Sequence, residues 1–291
     1  MSRFDAVDLS QLPAPNVVQP LDFEAILAAR IADLSTRFAA DPSTAGIVPL
    51  LQYEVDPSVK IQETGAYREL VHYNRVNDAA RAVLVASAQG SDLDNLGALF
   101  GVVRLNGETD DRYRTRITLA PNAYSNAGPL GGLIYECMTA SSNVLDVKIV
   151  KTPYTGQLAV YILSSEPGGV PSAATLLAVS QRLFQDDVKL MTDEISVNPA
   201  TIVPYAVVAT LTVPVGPDPA LIQAAAVAAV QGYINGAYKL GGLVQAQVLW
   251  RTLFVANVAG VSLSAPAADI VTDNTQAPFC SNIAISVIVN R

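Results

Sequence analysis

Apolar residues recur at helical spacing in the first part of the chain and alternate like strand residues in the second part. Behind the three prolines of residues 1–20, Asp22 can cap a helix whose apolar side follows at steps of three and four residues. The stretch DPSTAG, residues 41–46, ends that pattern. We therefore expect an extended N-terminal arm over residues 1–20 and a first helix that begins at Asp22.

The longest helical pattern runs from Pro57, a residue suited to a first turn, to about Gln89. One seam of this pattern has a period near 3.5, which is typical of a helix bundle or a coiled coil. A polar residue at such a seam can fix the register of the helices. We predict that the seam is a bundle interface, and its residues are Ala66, Leu70, Tyr73, Asn77, Ala80 and Leu84.

The stretch GSDLDNLGALFG, residues 90–101, allows two interpretations. A calcium loop of the EF-hand type starting at Asp92 would need oxygen ligands where Leu96 and Val103 stand, so that pattern fails. A junction between two helices fits better, with Gly90 ending the long helix and Ser91 capping the next.

From residue 144 onward, strand-like runs such as VLDVKIV and GQLAVYILS alternate with helical ones, and this order partly repeats. The fold class predicted is α+β, with an N-terminal long-helix bundle region followed by two tandem small α/β units. The domains predicted are the arm (1–20), a helical core domain (21–125), a first α/β unit (126–200) and a second α/β unit (201–291).

Composition points to a protein that hides much of its surface. Apolar residues make up 51% of the 291 residues and charged residues 15%, where about 25% charged is usual. A net charge of −8 disfavours nucleic acid as a partner. The apolar runs are too short for a membrane-spanning helix, and the first residues show no signal-peptide pattern. Cys137 and Cys280 are expected to be two buried thiols.

The sequence offers little for catalysis. Its single histidine, His72, lies within the long helical pattern, and no nucleophile elbow or phosphate-binding loop occurs. The glycines of AGPLGGL, residues 127–133, are interpreted as a tight turn before a helix. The carboxylate pairs are interpreted as helix starts and loop edges. We expect no enzyme activity, no catalytic residue, no cofactor and no metal.

Several long stretches nevertheless have a specific resemblance. The sequence resembles the baseplate J-like proteins of contractile phage tails, including P2-type phages, over the whole chain. The stretches that carry it, in order, are VDLSQLPAPNVVQPLDFEAILAAR, AYRELVHYNRVNDAARAV, GSDLDNLGALFGVVR, DDRYRTRI, AGPLGGLIYE and LSAPAADIVTDNTQAPFC.

The resemblance implies a structural role, because such proteins are similar to the inner-ring wedge protein of T-even baseplates. Two copies would join one copy of a different, I-like wedge protein through a bundle of N-terminal helices. Neighbouring wedges would form a six-fold ring, and a lysozyme-like (W-like) sheath initiator would bind near the bundle. The expected location is the virion tail baseplate, after assembly in the host cytoplasm, with no nucleic acid bound and no membrane insertion.

Two alternatives remain open at this point. The same wedge role could belong to a phage-derived tailocin or injection particle, which sequence does not distinguish from a phage. A tail-associated cell-wall hydrolase is the other, and the lack of an acid–base set argues against it.

Overall fold

The computed structural model describes residues 9, 12–13, 15–125, 129–151, 156–189, 193–216 and 218–290. The described chain divides into two compact units, residues 9–103 and residues 104–290. We call them the helical unit and the mixed unit. The arm is described only at residues 9, 12–13 and 15–20. The stretch TPYTG, residues 152–156, has the composition of a turn between two strands, and all of it but Gly156 lies outside the described residues.

The helical unit begins with α1 (Phe23–Ala40), where the prediction placed it. Asp22 is the N-cap, and its carboxylate accepts a hydrogen bond from the Ala25 N–H at 3.1 Å. A 3₁₀ helix (Ala45–Gln52) follows, which the sequence pattern did not predict.

The second helix, α2 (Pro57–Ala82), is shorter than predicted. Asp56 caps it by accepting from the Ser58 N–H at 2.8 Å, and Pro57 stands in its first turn. The prediction that it continues to Gln89 is wrong, because the Ser87 hydroxyl bonds to the Arg81 carbonyl at 2.8 Å and closes a turn there. Its 26 residues span about 39 Å.

The third helix, α3 (Gly90–Leu99), begins differently from the prediction. Gln89 is its N-cap and makes no side-chain cap bond, so Ser91 does not cap it. Gly90, with φ +52°, is the first residue of α3 and does not end α2. At the other end, Gly101 has φ +65°, and the Val102 N–H donates to the Gly97 carbonyl at 3.0 Å, which is a Schellman motif.

The mixed unit opens with two helices and a three-stranded sheet. The sheet order is β1-β2-β3, with β1 and β2 antiparallel and β2 and β3 parallel through the crossover helix α6. One side of this sheet packs on α5 and α6 around a buried apolar core. The elements are α4 (Asp110–Ala123), α5 (Leu130–Ala140), β1 (Val144–Lys151), β2 (Gln157–Ser164), α6 (Ala173–Leu183) and β3 (Glu194–Pro199).

A second three-stranded sheet follows in the order β6-β4-β8, with β6 antiparallel and β8 parallel to the central strand. Helix α7 is capped by Asp218, whose carboxylate accepts from the Ala220 N–H at 2.9 Å, and packs with α8 on one face of this sheet. The elements are β4 (Thr201–Pro214), α7 (Pro219–Ala237), β5 (Leu243–Val244), α8 (Ala246–Thr252), β6 (Gly260–Ala265), β7 (Ile270–Val271) and β8 (Gln276–Asn290).

Two sequence patterns in this part differ from the structure. The run LVQAQVLWRTLFVA, residues 243–256, predicts one short helix, but it begins as β5, which pairs with β7, and only then becomes α8. The apolar run NIAISVIV, residues 282–289, predicts the last strand, but that strand begins six residues earlier, at Gln276.

The α+β class is confirmed in its general form, as helices with small mixed sheets. The long-helix bundle, the tandem repetition and the four domain boundaries stay predictions. None of the described helices combines the length and the apolar character that crossing a membrane requires.

Candidate assembly interface

The carboxylates of the 90–101 stretch lie on α3. Asp92 stands in the first turn of α3, where an acidic side chain interacts favourably with the positive end of the helix dipole. No group of three or more His, Cys, Asp or Glu side chains able to hold a metal ion occurs among the described residues. His72 is exposed on α2. The geometry of this stretch is that of a helix start.

The two cysteines are free thiols in different environments. Cys137 of α5 is completely buried, as predicted, and burial raises the pKa of its thiol. Cys280 of β8 is only partly buried, so the prediction of a buried thiol is wrong there. Burial also raises the pKa of Cys280. Both groups therefore favour the neutral thiol over the reactive thiolate.

The glycines of the AGPLGGL stretch serve helix packing. Gly131 and Gly132 lie inside α5 and not in a turn before it, which corrects the prediction; Gly128 lies outside the described residues. A Cβ atom on Gly132 would stand 2.9 Å from the backbone oxygen of Asn122, in α4. These glycines therefore allow α4 and α5 to approach closely.

In the helical unit, Arg30 of α1 lies across α2. Its Nη1 atom bonds to Glu69 Oε2 at 3.0 Å, and its Nε atom bonds to Gln62 Oε1 at 3.1 Å. The guanidinium covers Gly65, where an added Cβ would come within 2.3 Å of it. The Tyr73 hydroxyl donates to Glu69 at 2.8 Å, and this bond together with Arg30 holds the pKa of Glu69 below its usual range.

Asn77 attaches the arm to α2. Its side-chain oxygen accepts from the Gln19 N–H at 2.8 Å, and its side-chain nitrogen donates to the Gln19 carbonyl at 2.8 Å. Asn77 is only 1% exposed, so these bonds satisfy a polar group that would otherwise be costly to bury. The sequence predicted a special role for Asn77 but gave no sign that Gln19 is its partner.

The structure brings five of the six predicted seam residues onto one face of α2, where two of them, Ala66 and Asn77, are fully buried. Leu70, Tyr73 and Ala80 are half-buried. Leu84 lies beyond the end of the helix and is 37% exposed. Part of the seam is thus already used within the chain, and its role in a bundle with other chains stays a prediction.

Apolar side chains remain exposed on α2, and α1 has no fully buried residue. None of the 18 residues of α1, all of which the structure describes, is buried. On α2, Tyr67 and Val71 are 61% and 42% exposed and stand four residues apart on one side, away from the seam. Ile61 and Val76 are exposed as well. Surfaces of this kind mark sites of association with other proteins.

The arm adds an apolar groove. The groove has a volume of about 580 Å³ and lies between the arm and the turns after α2. Its apolar lining includes Leu9, Leu12, Pro15, Leu84 and Val85. Within the helical unit, uncovered apolar surface therefore extends from the helices to the arm.

The mixed unit is held by a buried ionic cluster that sequence reasoning missed. Glu108 pairs with both Arg112 and Arg116, and the Arg116 contact measures 2.6 Å. Arg112 also donates to the carbonyls of Ser141 and Val144 at 2.6 and 2.9 Å. Burial lowers the pKa of Arg112. The spacing of four residues between Glu108, Arg112 and Arg116 was the available signal, since it places the two arginines on one side of α4 and Glu108 just before its first turn.

Comparison with known proteins agrees with these features. The model of the baseplate J-like N-terminal domain matches residues 54–111, which hold α2, α3 and the start of the ionic cluster. The chain is also 38% identical, over 96% of its length and 97% of that protein, to baseplate protein J of Escherichia phage P2. With this identity over nearly the whole of both chains, the protein belongs to the baseplate J-like family.

Proposed function

We propose that this chain is a structural subunit of a phage tail baseplate and that it acts in the wedge of a contractile tail. The observation that carries the proposal is α1, an 18-residue helix with no buried residue, packed on a helix that leaves Tyr67 and Val71 exposed. Such helices reach their full burial in contact with other chains. The similarity to baseplate protein J indicates which assembly supplies those chains.

The partners proposed are those of a wedge. Two copies of this chain and one I-like wedge protein form a helix bundle from α1, α2 and the partner helices. The seam residues hold α1 and the arm on α2, while Tyr67, Val71 and the exposed side of α1 face the other chains. Contacts between neighbouring wedges give the six-fold ring, and the sheath initiator binds near the bundle.

The mechanism proposed is mechanical. Ring contacts hold the baseplate in the state before contraction, and a rearrangement of the wedges on host contact releases the sheath. A transition of this kind requires interfaces with two packings of similar energy. The location is the tail baseplate of the virion, reached after assembly in the host cytoplasm.

Different experimental observations would support the two alternative functions. A tailocin would use the same wedge contacts, and purified particles with no genome-filled capsid would indicate it. A cell-wall hydrolase would degrade peptidoglycan as a pure protein and would lose this activity on replacement of one carboxylate. The incomplete burial of α1 and the exposed Tyr67 and Val71 of α2 favour a structural role over that activity.

Co-expression with the neighbouring tail proteins, followed by native mass measurement, tests the proposal. We expect a complex of two copies with one I-like protein. Val71→Glu should prevent its formation, because it places a charge in the apolar interface. Leu70→Asp should also prevent it, by disturbing the seam, while the mixed unit stays folded.

Val55→Glu is the matched control, since Val55 is 85% exposed and precedes α2. It should leave the complex intact. A two-to-one complex that forms equally well with Val71→Glu would overturn the proposed interface, and a monomeric wild-type chain in the presence of all neighbouring proteins would overturn the wedge role.

A further inference from the structure

Strand β8 is a long strand with one free edge. It pairs with β4 over its full length of 15 residues and with no other strand among those the structure describes. An edge strand exposes unpaired N–H and C=O groups, and these can pair with a strand from another chain.

The other edges of the two three-stranded sheets carry protecting features that residues 282–290 of β8 lack. Strand β1 bears Lys148 and Lys151, β3 bears Glu194 and ends at Pro199, and the short β6 has a register irregularity. Residues 282–290 of β8 contain no charge, no proline and no irregularity. Charged residues, prolines and bulges are the usual means of preventing edge association, so this edge is open to it.

The direction of the backbone groups follows from one contact. Gln223 of α7 donates from Nε2 to the Ile285 carbonyl at 2.6 Å, so this carbonyl points away from β4. Because backbone direction alternates along a strand, the odd-numbered residues from 283 to 289 direct their N–H and C=O groups to the free edge. A carbonyl has two lone pairs and can accept a second donor beside Gln223.

The sequence of this edge is close to a palindrome. Residues 282–290 read NIAISVIVN, with Ser286 at the centre and Asn at both ends. In an antiparallel pair with a second copy centred on Ser286, residue 283 would lie opposite 289 and residue 285 opposite 287. These pairs join Ile with Val, and Ile283, Ile285 and Val287 pack on the inward side of the sheet.

We propose that β8 pairs antiparallel with β8 of a second copy about a two-fold axis through Ser286, which joins two three-stranded sheets into one. The register agrees with the backbone, since the odd residues that face the edge lie opposite odd residues and form the hydrogen-bonded pairs. Ser286 then faces its own copy in a non-hydrogen-bonded pair, with Cα atoms about 4.5 Å apart.

Residues 282–290 carry no charge that would oppose a second copy as the occupant. Each chain carries a net charge of −8, so two identical chains repel one another overall. Residues 282–290 and the facing stretch 206–214 of β4 are uncharged, so two copies can meet here without bringing like charges together. The inference rests on the proposed function, because a baseplate ring requires contacts between copies of this chain. The proposed contact involves the mixed unit alone.

Disulfide trapping tests the pairing in the full chain, alone and co-expressed with the neighbouring tail proteins. In a Cys280→Ser background, Ser286→Cys should give a disulfide-linked dimer under mild oxidation, because the expected Cα separation of about 4.5 Å suits a disulfide. Thr210→Cys is the matched control. Thr210 contacts Ser286 at 3.0 Å on the same face but lies on the central strand, so it should give no dimer.

A second pair of variants tests the register. Ala284→Cys and Ile288→Cys should not form disulfides when oxidised separately but should do so when mixed, because residue 284 lies opposite residue 288 of the other copy. Disulfides from Ala284→Cys alone, or none from Ser286→Cys in either preparation, would overturn the pairing. Val71→Glu should leave the trapped dimer unchanged, so failure here and failure of the proposed bundle are distinguishable.

Discussion

Asn77 of α2 and Gln19 of the arm exchange two hydrogen bonds of 2.8 Å, so a helix side chain binds the arm as a neighbouring strand would. Asn77→Asp keeps the acceptor for the Gln19 N–H but loses the donor to the Gln19 carbonyl. We expect a loss of about 1–3 kcal/mol in the free energy of unfolding and faster proteolysis of the arm. Chemical denaturation and limited proteolysis measure both effects. Asn74→Asp, at an exposed position of α2, is the control and should change neither.

Glu108→Gln should destabilise the mixed unit strongly. The Glu108 side chain is fully buried between Arg112 and Arg116, and its replacement removes the negative charge that it places beside two buried guanidinium groups. Breaking a buried pair in this way costs about 3–5 kcal/mol, which urea denaturation would measure. Asp111→Asn removes an ion pair whose carboxylate is 96% exposed, and we expect less than about 1 kcal/mol there. Equal losses for the two variants would contradict the importance of the buried cluster.

Gly132→Ala and Gly232→Ala should change stability in opposite directions. A Cβ atom on Gly132 meets the backbone of α4 at 2.9 Å, so α4 and α5 must separate, at a cost of about 1–3 kcal/mol. Gly232 lies in α7 with no atom within 4 Å of its Cβ position, so alanine there should stabilise the chain by about 1 kcal/mol. The melting temperatures of the two variants, compared with that of wild type, measure these changes. A melting temperature that Gly132→Ala leaves unchanged would show that α4 and α5 are not packed so closely.

The stability of the mixed unit should depend on the ionisation of Asp146. This buried carboxylate accepts from the Val147 and Leu240 N–H groups at 2.8 and 2.9 Å, and burial raises its pKa above the ordinary value. A group with a raised pKa in the folded state binds more protons when folded, so its contribution to stability is full at acid pH and is lost as the pH rises through that pKa. The advantage of wild type over Asp146→Asn in free energy of unfolding should therefore grow between pH 7 and pH 4. An advantage that shrank over this range would contradict the direction of the shift.

Local side-chain chemistry made the helix starts predictable. Asp22, Asp56 with Pro57, and Asp218 each cap or open a helix through bonds to residues two or three positions away, which a sequence displays directly. The end of α2 was not predictable in the same way. The helix ends where the Ser87 hydroxyl bonds to the Arg81 carbonyl, although the residue spacing in the sequence would allow the helix to continue.

The sequence predicted that one face of α2 is an interface, but it did not show which residues cover that face. The seam pattern identified the inner face of α2, but a period cannot show whether the covering helix comes from the same chain or another. Here Arg30 and Gln19 of the same chain occupy part of that face. Likewise, the NIAISVIVN pattern is visible in the sequence, but only the sheet order shows that this strand has a free edge.

The Arg112 side chain connects α4 to α5 and to the start of β1. Its guanidinium donates to carbonyls at the end of α5, in the following turn and at the first residue of β1. Because one side chain of α4 bonds to all three places, α4 cannot shift relative to the end of α5 and the start of β1 without breaking several hydrogen bonds.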